Sequence, residues 1–252
     1  MIKIIMNGYN GHMGHTICNI VSKDNECDIV AGIDITTSNA TFPTFININD
    51  CDMPADVIID FSTAKAVDDV IKYAVEKKIP AVICTTGISE DTLNKINEAS
   101  KVIPVFKSAN MSLGINLIQN LIKKAVSILD ENGFDIEIVE KHHNKKIDAP
   151  SGTALLLADA ANAAMNDKFE YVYDRSEKRE KRSKSEIGIH SVRGGTIVGE
   201  HSVVFAGQDE VIEFNHTALS KDVFAVGAVK AAKFIAGKPA GMYDMQDIME
   251  SM

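Results

Sequence analysis

The chain has 252 residues, 45% of them hydrophobic and 24% charged, with a mean hydropathy near zero, which excludes a disordered or fibrous protein. Its formal charge of −9 opposes a phosphate backbone, so no nucleic-acid partner is expected and any anion site must be local. No window reaches about 18 apolar residues, and the start Met1-Ile-Lys-Ile-Ile-Met carries no basic leader, so neither membrane spanning nor secretion is expected.

At this length roughly 70–75% of the unfolded chain's surface can be buried, enough for a stable core without a metal or disulfide staple. Cys18, Cys27, Cys51 and Cys84 show neither pairing nor ligand spacing, which points to apolar surroundings and a reducing, cytoplasmic compartment.

Up to residue 110, short β-branched runs read as buried strands: Ile2 to Met6, Ile29 to Ile33, Val57 to Phe61, Ala81 to Cys84 and Val102 to Phe106. Between them Val67, Val70, Ile71, Ala74 and Val75, and then Leu93 and Ile96, recur at helical spacing, so strand and helix alternate as in a doubly wound parallel sheet. A helix from Ser112 to Leu129 leads to Asp135-Ile-Glu-Ile-Val-Glu-Lys141, whose alternation predicts a half-exposed strand. Runs at Ile187 to Val192, Thr196 to Phe205 and Glu210 to Asn215 follow closely, separated by Gly194-Gly195 and Gly207-Gln208-Asp209, and predict antiparallel hairpins. Residues 174–186 hold six basic and four acidic side chains and no apolar one, the composition of a solvated, mobile loop. Ser220 to Ile235 reads as a last amphipathic helix.

The first strand runs into Gly8-Tyr9-Asn10-Gly11-His12-Met13-Gly14 and then a helix. Glycines allow a sharp turn and a close approach of backbone to pyrophosphate, whose charge meets the free N–H groups at the helix start. Asp34, 20 residues beyond Gly14 at the end of the second strand, is placed to accept the ribose hydroxyls of an adenosine. Ile35-Thr36-Thr37-Ser38 offers no cation for a 2′-phosphate, so NADH is expected to be preferred; the hydroxyls of Thr36, Thr37 and Ser38 leave NADPH admissible. Cys84-Thr85-Thr86 and Ser108-Ala109-Asn110-Met111 stand at two further strand ends, where such sheets bind ligands, although turn and helix-cap chemistry would equally place small polar residues there.

A second constellation spans Glu140 to Ala154. Lys141, His142, His143, Lys145 and Lys146 put five potential cations into six residues. Pro150-Ser151-Gly152-Thr153 then opens a helix whose unpaired N–H groups attract a carboxylate. Together they suit a small dicarboxylate. A metal is not expected, because adjacent strand histidines face opposite ways and the lysines repel a cation.

Glu140-Lys-His-His-Asn-Lys-Lys-Ile-Asp-Ala-Pro-Ser-Gly-Thr-Ala154 resembles the signature of the 4-hydroxy-tetrahydrodipicolinate reductase (dihydrodipicolinate reductase) family, E-x-H-H-x-x-K-x-D-A-P-S-G-T-A. The Gly8 to Gly14 turn, Thr85-Thr86-Gly87, Ala109-Asn110-Met111-Ser112 and Val198-Gly-Glu-His201 agree in order, so the likeness spans nearly the whole chain. The resemblance implies an α/β fold: an N-terminal Rossmann-type parallel sheet, from 1–112 plus 217–252, holding NADH or NADPH, and a mixed α+β domain, 113–216, binding substrate and forming a homotetramer. It also implies a cytoplasmic oxidoreductase of lysine and diaminopimelate biosynthesis that reduces 4-hydroxy-tetrahydrodipicolinate to tetrahydrodipicolinate with loss of water.

By matching position, His142 and Lys146 are the expected catalytic pair, with His143, Lys146, Ser151, Gly152 and Thr153 on the substrate. Gly8, Tyr9, Asn10, Gly11, His12, Met13, Asp34, Cys84, Thr85, Thr86, Ser108, Ala109, Asn110 and Met111 are the expected cofactor residues. Two positions depart from the family habit: Asp34 is followed by Ile35 where an Arg is frequent, and Cys84 stands where Gly is frequent. Hydride transfer further predicts closure of the domains about hinges near residues 112 and 217. A nucleotide sensor would need no acid and would leave the cluster around His142 without a task.

Overall fold

The computed structural model describes residues 1–36 and 39–252. It opens with β1 (Ile2–Asn7), α1 (His12–Val21), β2 (Cys27–Ile33), β3 (Thr44–Phe45), β4 (Val57–Asp60), α2 (Val67–Lys77), β5 (Ala81–Ile83), α3 (Glu90–Ser100) and β6 (Pro104–Lys107). Then come α4 (Leu113–Glu131), β7 (Asp135–His142), α5 (Gly152–Ala164), β8 (Glu170–Val172), β9 (Glu186–Arg193), β10 (Gly199–Ala206) and β11 (Val211–Ala218). The chain finishes with α6 (Asp222–Ile235), β12 (Gly241–Tyr243) and α7 (Met245–Glu250). Met1–Ser112 and Asp222–Met252 form one compact unit, and Leu113–Lys221 a second.

The first unit is built on a seven-stranded sheet, β12-β6-β5-β4-β1-β2-β3, in which every pairing is parallel. Helices cover both faces, so the central strands are apolar on both sides and β4 is buried throughout. Helix α2 turns Val67, Val70, Ile71 and Ala74 inward, and α6, with Ala225, Ala228 and Ala232 buried, packs on α1, β4 and β5, its Gly227 close against the Met111 backbone. The chain winds one way from β1 to β3 and the other way from β4 to β6, so a crevice opens at the carboxyl ends of β1 and β4, the switch point of such sheets.

The second unit carries the sheet β11-β10-β7-β9-β8. β10 runs antiparallel to β7 and β11, whereas β7, β9 and β8 are mutually parallel. Ile122, Val126, Ile136, Ile138, Leu157 and Phe205 form its core. Along β7 the alternation predicted from sequence holds: Ile136, Ile138, Glu140 and His142 are buried, and the residues between them are not. Two of those four inward positions are polar.

Three expectations need correction. Gly194-Gly195 does not close a hairpin, because β7 lies between β9 and β10; the turn instead crosses the end of β7, with Gly194 N–H donating to the His142 carbonyl. Val102 is exposed and precedes β6. Residues 174–186 are bound to the protein and not merely solvated: Arg182 donates to Glu137, Asp135 and the carbonyls of Ile136 and Glu186, while Arg175 pairs with Glu186. The outward carboxylates of β7 answer Arg182, and Glu186 at the start of β9 answers Arg175, a match invisible to a composition argument. Among the described residues no helix is long and apolar enough to cross a membrane.

Candidate active site

In the first unit, Gly8 adopts φ +82°, and a Cβ on Gly14 would stand 2.1 Å from the Gly8 carbonyl oxygen. Only glycine permits this turn, which delivers the chain into α1 at Gly11 with no side chain capping the helix start. A cavity of about 380 Å³ runs beside it, bounded by Gly8, Gly11, Asp34, Ile48, Ser62 and Ala66. Asp34 accepts from the backbone N–H of Asn10 at 3.2 Å and of Thr36 at 3.3 Å. A glycine cradle, a helix N-terminus and a carboxylate along one cavity fit a dinucleotide. His12 is exposed and Met13 half-buried at the start of α1. The Tyr9 ring packs instead against Phe42 and over Gly32, so Tyr9 offers the turn its backbone. Thr37 and Ser38 lie outside the described residues.

The same strand ends hold a group that sequence reasoning missed. Asp60, fully buried at the end of β4, accepts from Asn7 Nδ2 at 2.6 Å, Ser62 Oγ at 2.5 Å and Thr85 Oγ1 at 2.6 Å. It thus ties together the ends of β1, β4 and β5. Burial outweighs these donors and holds its carboxyl above the usual carboxylate range. Cys84 is buried beside it; burial, with the Asp60 charge behind it, pushes the thiol well up, so it stands as a small protonated side chain. Thr86 and Ala109 are exposed. Ser108 Oγ donates to the Asn110 carbonyl, and the Asn110 side chain accepts from Ser112 N–H, which shapes the Ser108 to Met111 bend.

In the second unit, Glu140 is fully buried and its carboxylate is the hub. His142 Nδ1 lies 2.6 Å from Oε2, Arg193 grips both oxygens at 2.7 Å, and the Ser151 N–H donates to Oε1 at 3.0 Å. Burial alone would raise its titration, but Arg193, His142, Ser191 and the Ser151 amide hold it down at about 2. Ser151 caps α5, accepting from Ala154 N–H, and its hydroxyl meets His201 Nε2 at 3.0 Å. The His142 and His201 rings stand edge to face at 5.2 Å. Burial, then the charges of His142, His216 and Lys146, lower His201 to about 4 despite the opposing Glu140. Lys146 pairs with Asp148 at 2.8 Å, and His143 Nδ1 is buried without a hydrogen-bond partner among the described residues. Gly152 and Thr153 begin α5 directly after the Ser151 cap.

His142, Lys146, Ser151 and the α5 start are therefore elements of one unit, as their sequence proximity implies. Glu140, Arg193 and His201 are additions. Glu140 had a signal, since residues two apart on a strand share a face. His201 lay in the Val198 to His201 stretch that agrees with the family, without a role attached; Arg193 had no signal, because β9 is distant in sequence and reaches β7 only through sheet pairing.

A dinucleotide-binding parallel sheet joined to a unit with a buried acid–base cluster defines a nicotinamide-dependent oxidoreductase of two-domain architecture. The dihydrodipicolinate reductase N-terminal model matches residues 2–111 and the C-terminal model residues 114–249. The 4-hydroxy-tetrahydrodipicolinate reductase of Caldanaerobacter subterraneus is 52% identical over 250 residues, 99% of each chain. That of Clostridium tetani is 52% identical over 252 residues, 100% of this chain and 98% of its own. The chain belongs to the dihydrodipicolinate reductase family, whose function lies in lysine and diaminopimelate biosynthesis. A dipicolinate-bound dihydrodipicolinate reductase from Paenisporosarcina sp. TG-14 has the same fold, with a TM-score of 0.81, 22% identity and 97% of each chain covered. The diaminopimelate dehydrogenase of C. glutamicum is a more distant fold relative, TM-score 0.60 at 14% identity, over 97% of this chain and 92% of its own.

Proposed function

We propose that this chain reduces 4-hydroxy-tetrahydrodipicolinate to tetrahydrodipicolinate with loss of water, with His142 as the acid and Lys146 as its cationic partner. The observation that carries the assignment is the placement of His142: its ring is hydrogen-bonded to a buried carboxylate, and the same carboxylate accepts from the amide of Ser151, the N-cap of α5. A bound nicotinamide supplies the hydride. The protein's part is to hold a dicarboxylate and to place a proton where negative charge develops on the substrate ring. The α5 N-terminus with Ser151, Gly152 and Thr153 takes one carboxylate, and His143 and Lys146 meet the rest of the charge. Imidazole titrates close to working pH and so suits proton donation, a contribution of ~10²–10⁴ in rate. The dipicolinate in the Paenisporosarcina relative is the kind of twin acid such a site would take.

In the first unit, the backbone of Gly8 to Met13 would receive the pyrophosphate, Asp34 the adenosine ribose, and Cys84, Thr85, Thr86 and Ser108 to Met111 the nicotinamide half. Asp34 carries no neighbouring cation at Ile35 or Thr36, which supports NADH over NADPH. The domain roles, a cytoplasmic location and a homotetramer complete the proposal by family resemblance. The test is oxidation of NADH and of NADPH with freshly made substrate, in the wild type and in His142→Gln. Loss of ~10²-fold or more in kcat with KM little changed is expected for an acid; equal kcat in both proteins would remove His142 from the reaction.

A further inference from the structure

Glu140 is fully buried and ionised, touches no solvent, and needs more than packing to explain its position. An unpaired carboxylate there would be costly, and three elements supply its partners: Arg193 from β9, the Ser151 amide from the α5 start, and His142 two residues along its own strand. Arg193 is itself fixed, donating to the carbonyls of Val192 and Asp148. The carboxylate therefore has one orientation, and an ionised carboxylate can only accept. Nδ1 of His142 must carry the proton in that 2.6 Å contact.

We propose that Glu140, gripped by Arg193, is the positioning residue that fixes His142 as the Nδ1–H tautomer, leaving Nε2 as the nitrogen that carries the exchanged proton. This rests on the function proposed above and says which atom performs it. Gly199 supports the assignment independently. It lies at the start of β10, and a Cβ there would stand 3.1 Å from Nε2, closer than a methyl group sits comfortably. At this position beside Nε2 the neighbouring strand has no side chain. The His142 ring meets Glu140 on β7 and His201 on β10; Arg193, its register partner on β9, binds Glu140, and Lys146 pairs with Asp148 in the following loop. Of these, Glu140 is the negative group in contact with its ring.

Replacing Glu140 by Gln keeps the shape but removes the charge that opposes Arg193, so protonated His142 faces an uncompensated guanidinium. Glu140→Gln should lower kcat on the order of 10²-fold, leave both KM values within about threefold, and move the alkaline limb of the kcat profile to lower pH. A purely structural loss would lower active protein without moving the limb. An unmoved limb overturns the proposal, whether kcat falls or stays within about twofold of wild type.

Folding of the variant is not required for a decision. In the full wild-type chain, ¹⁵N imidazole spectra in the alkaline range, with His142 assigned by its absence in His142→Gln, should show the neutral ring protonated at Nδ1. Protonation at Nε2 refutes the tautomer assignment. If the wild type turns over no 4-hydroxy-tetrahydrodipicolinate, the proposed function fails, while the spectrum still decides the tautomer.

Discussion

Removing the Asp60 carboxylate tests whether the strand ends of the first unit are held by one buried group. In Asp60→Ala, Asn7 and Thr85, 4% and 7% exposed, lose their acceptor with no route to water, while Ser62 is half-exposed and can rehydrate. Two stranded buried donors at about 1–3 kcal/mol each give about 2–6 kcal/mol. The burial cost of the carboxylate comes off that sum, leaving an expected loss of about 2–4 kcal/mol. Asp60→Asn keeps an oxygen for Asn7 and Ser62 and can donate to Thr85 Oγ1, so it should lie within about 1 kcal/mol of wild type at neutral pH. The pH dependence follows from the raised carboxyl. The folded chain binds this proton more tightly than the unfolded one, so the group's contribution is greatest below the unfolded value and is lost as pH rises through the folded one. That slope should vanish in Asp60→Asn. Urea unfolding followed by hydrogen exchange of the β4 and β5 amides reads the first unit by itself. An alanine variant within about 0.5 kcal/mol of wild type would refute the reasoning.

Further outcomes follow from the same geometry. Gly14→Ala drives a methyl into the Gly8 carbonyl; it should abolish NADH binding, measured by the change in the coenzyme's own fluorescence, with the second unit's amide exchange unchanged. Ser151→Ala removes the α5 cap and its contact with His201; about 1 kcal/mol of stability should be lost, with a higher substrate KM and an unchanged cofactor KM. Acid should act on the second unit in two stages. His201 is lowered from 6.5 to about 4, so its contribution is present above 6.5 and lost as pH falls through that window. Glu140 is lowered from 4.5 to about 2, so its contribution is lost between those values. Near-ultraviolet ellipticity and exchange of the β7 amides between pH 7 and pH 2 should show the second stage abolished in Glu140→Gln.

Several features of this protein are local and were therefore legible in sequence. A glycine turn between strand and helix, Asp34 at the next strand end, and a cationic run beside a Ser-Gly-Thr helix start each depend on near neighbours, which spacing reports directly. The alternation in β7 also declared which of its residues face inward. Short edge strands such as β3, β8 and β12 were not legible, since two or three residues carry too little periodicity. Nor was the insertion of β7 between β9 and β10, because strand order is set by which apolar faces bury together and by the α4 and α5 layer, not by chain adjacency. That pairing alone brings Arg193 to the Glu140 carboxylate, His201 to Ser151 and the bare backbone of Gly199 to the His142 ring. The candidate site residues and Glu140 are near neighbours in the sequence; Arg193, His201 and Gly199 come from strands far away in the chain, and only pairing in a common sheet brings them to that cluster.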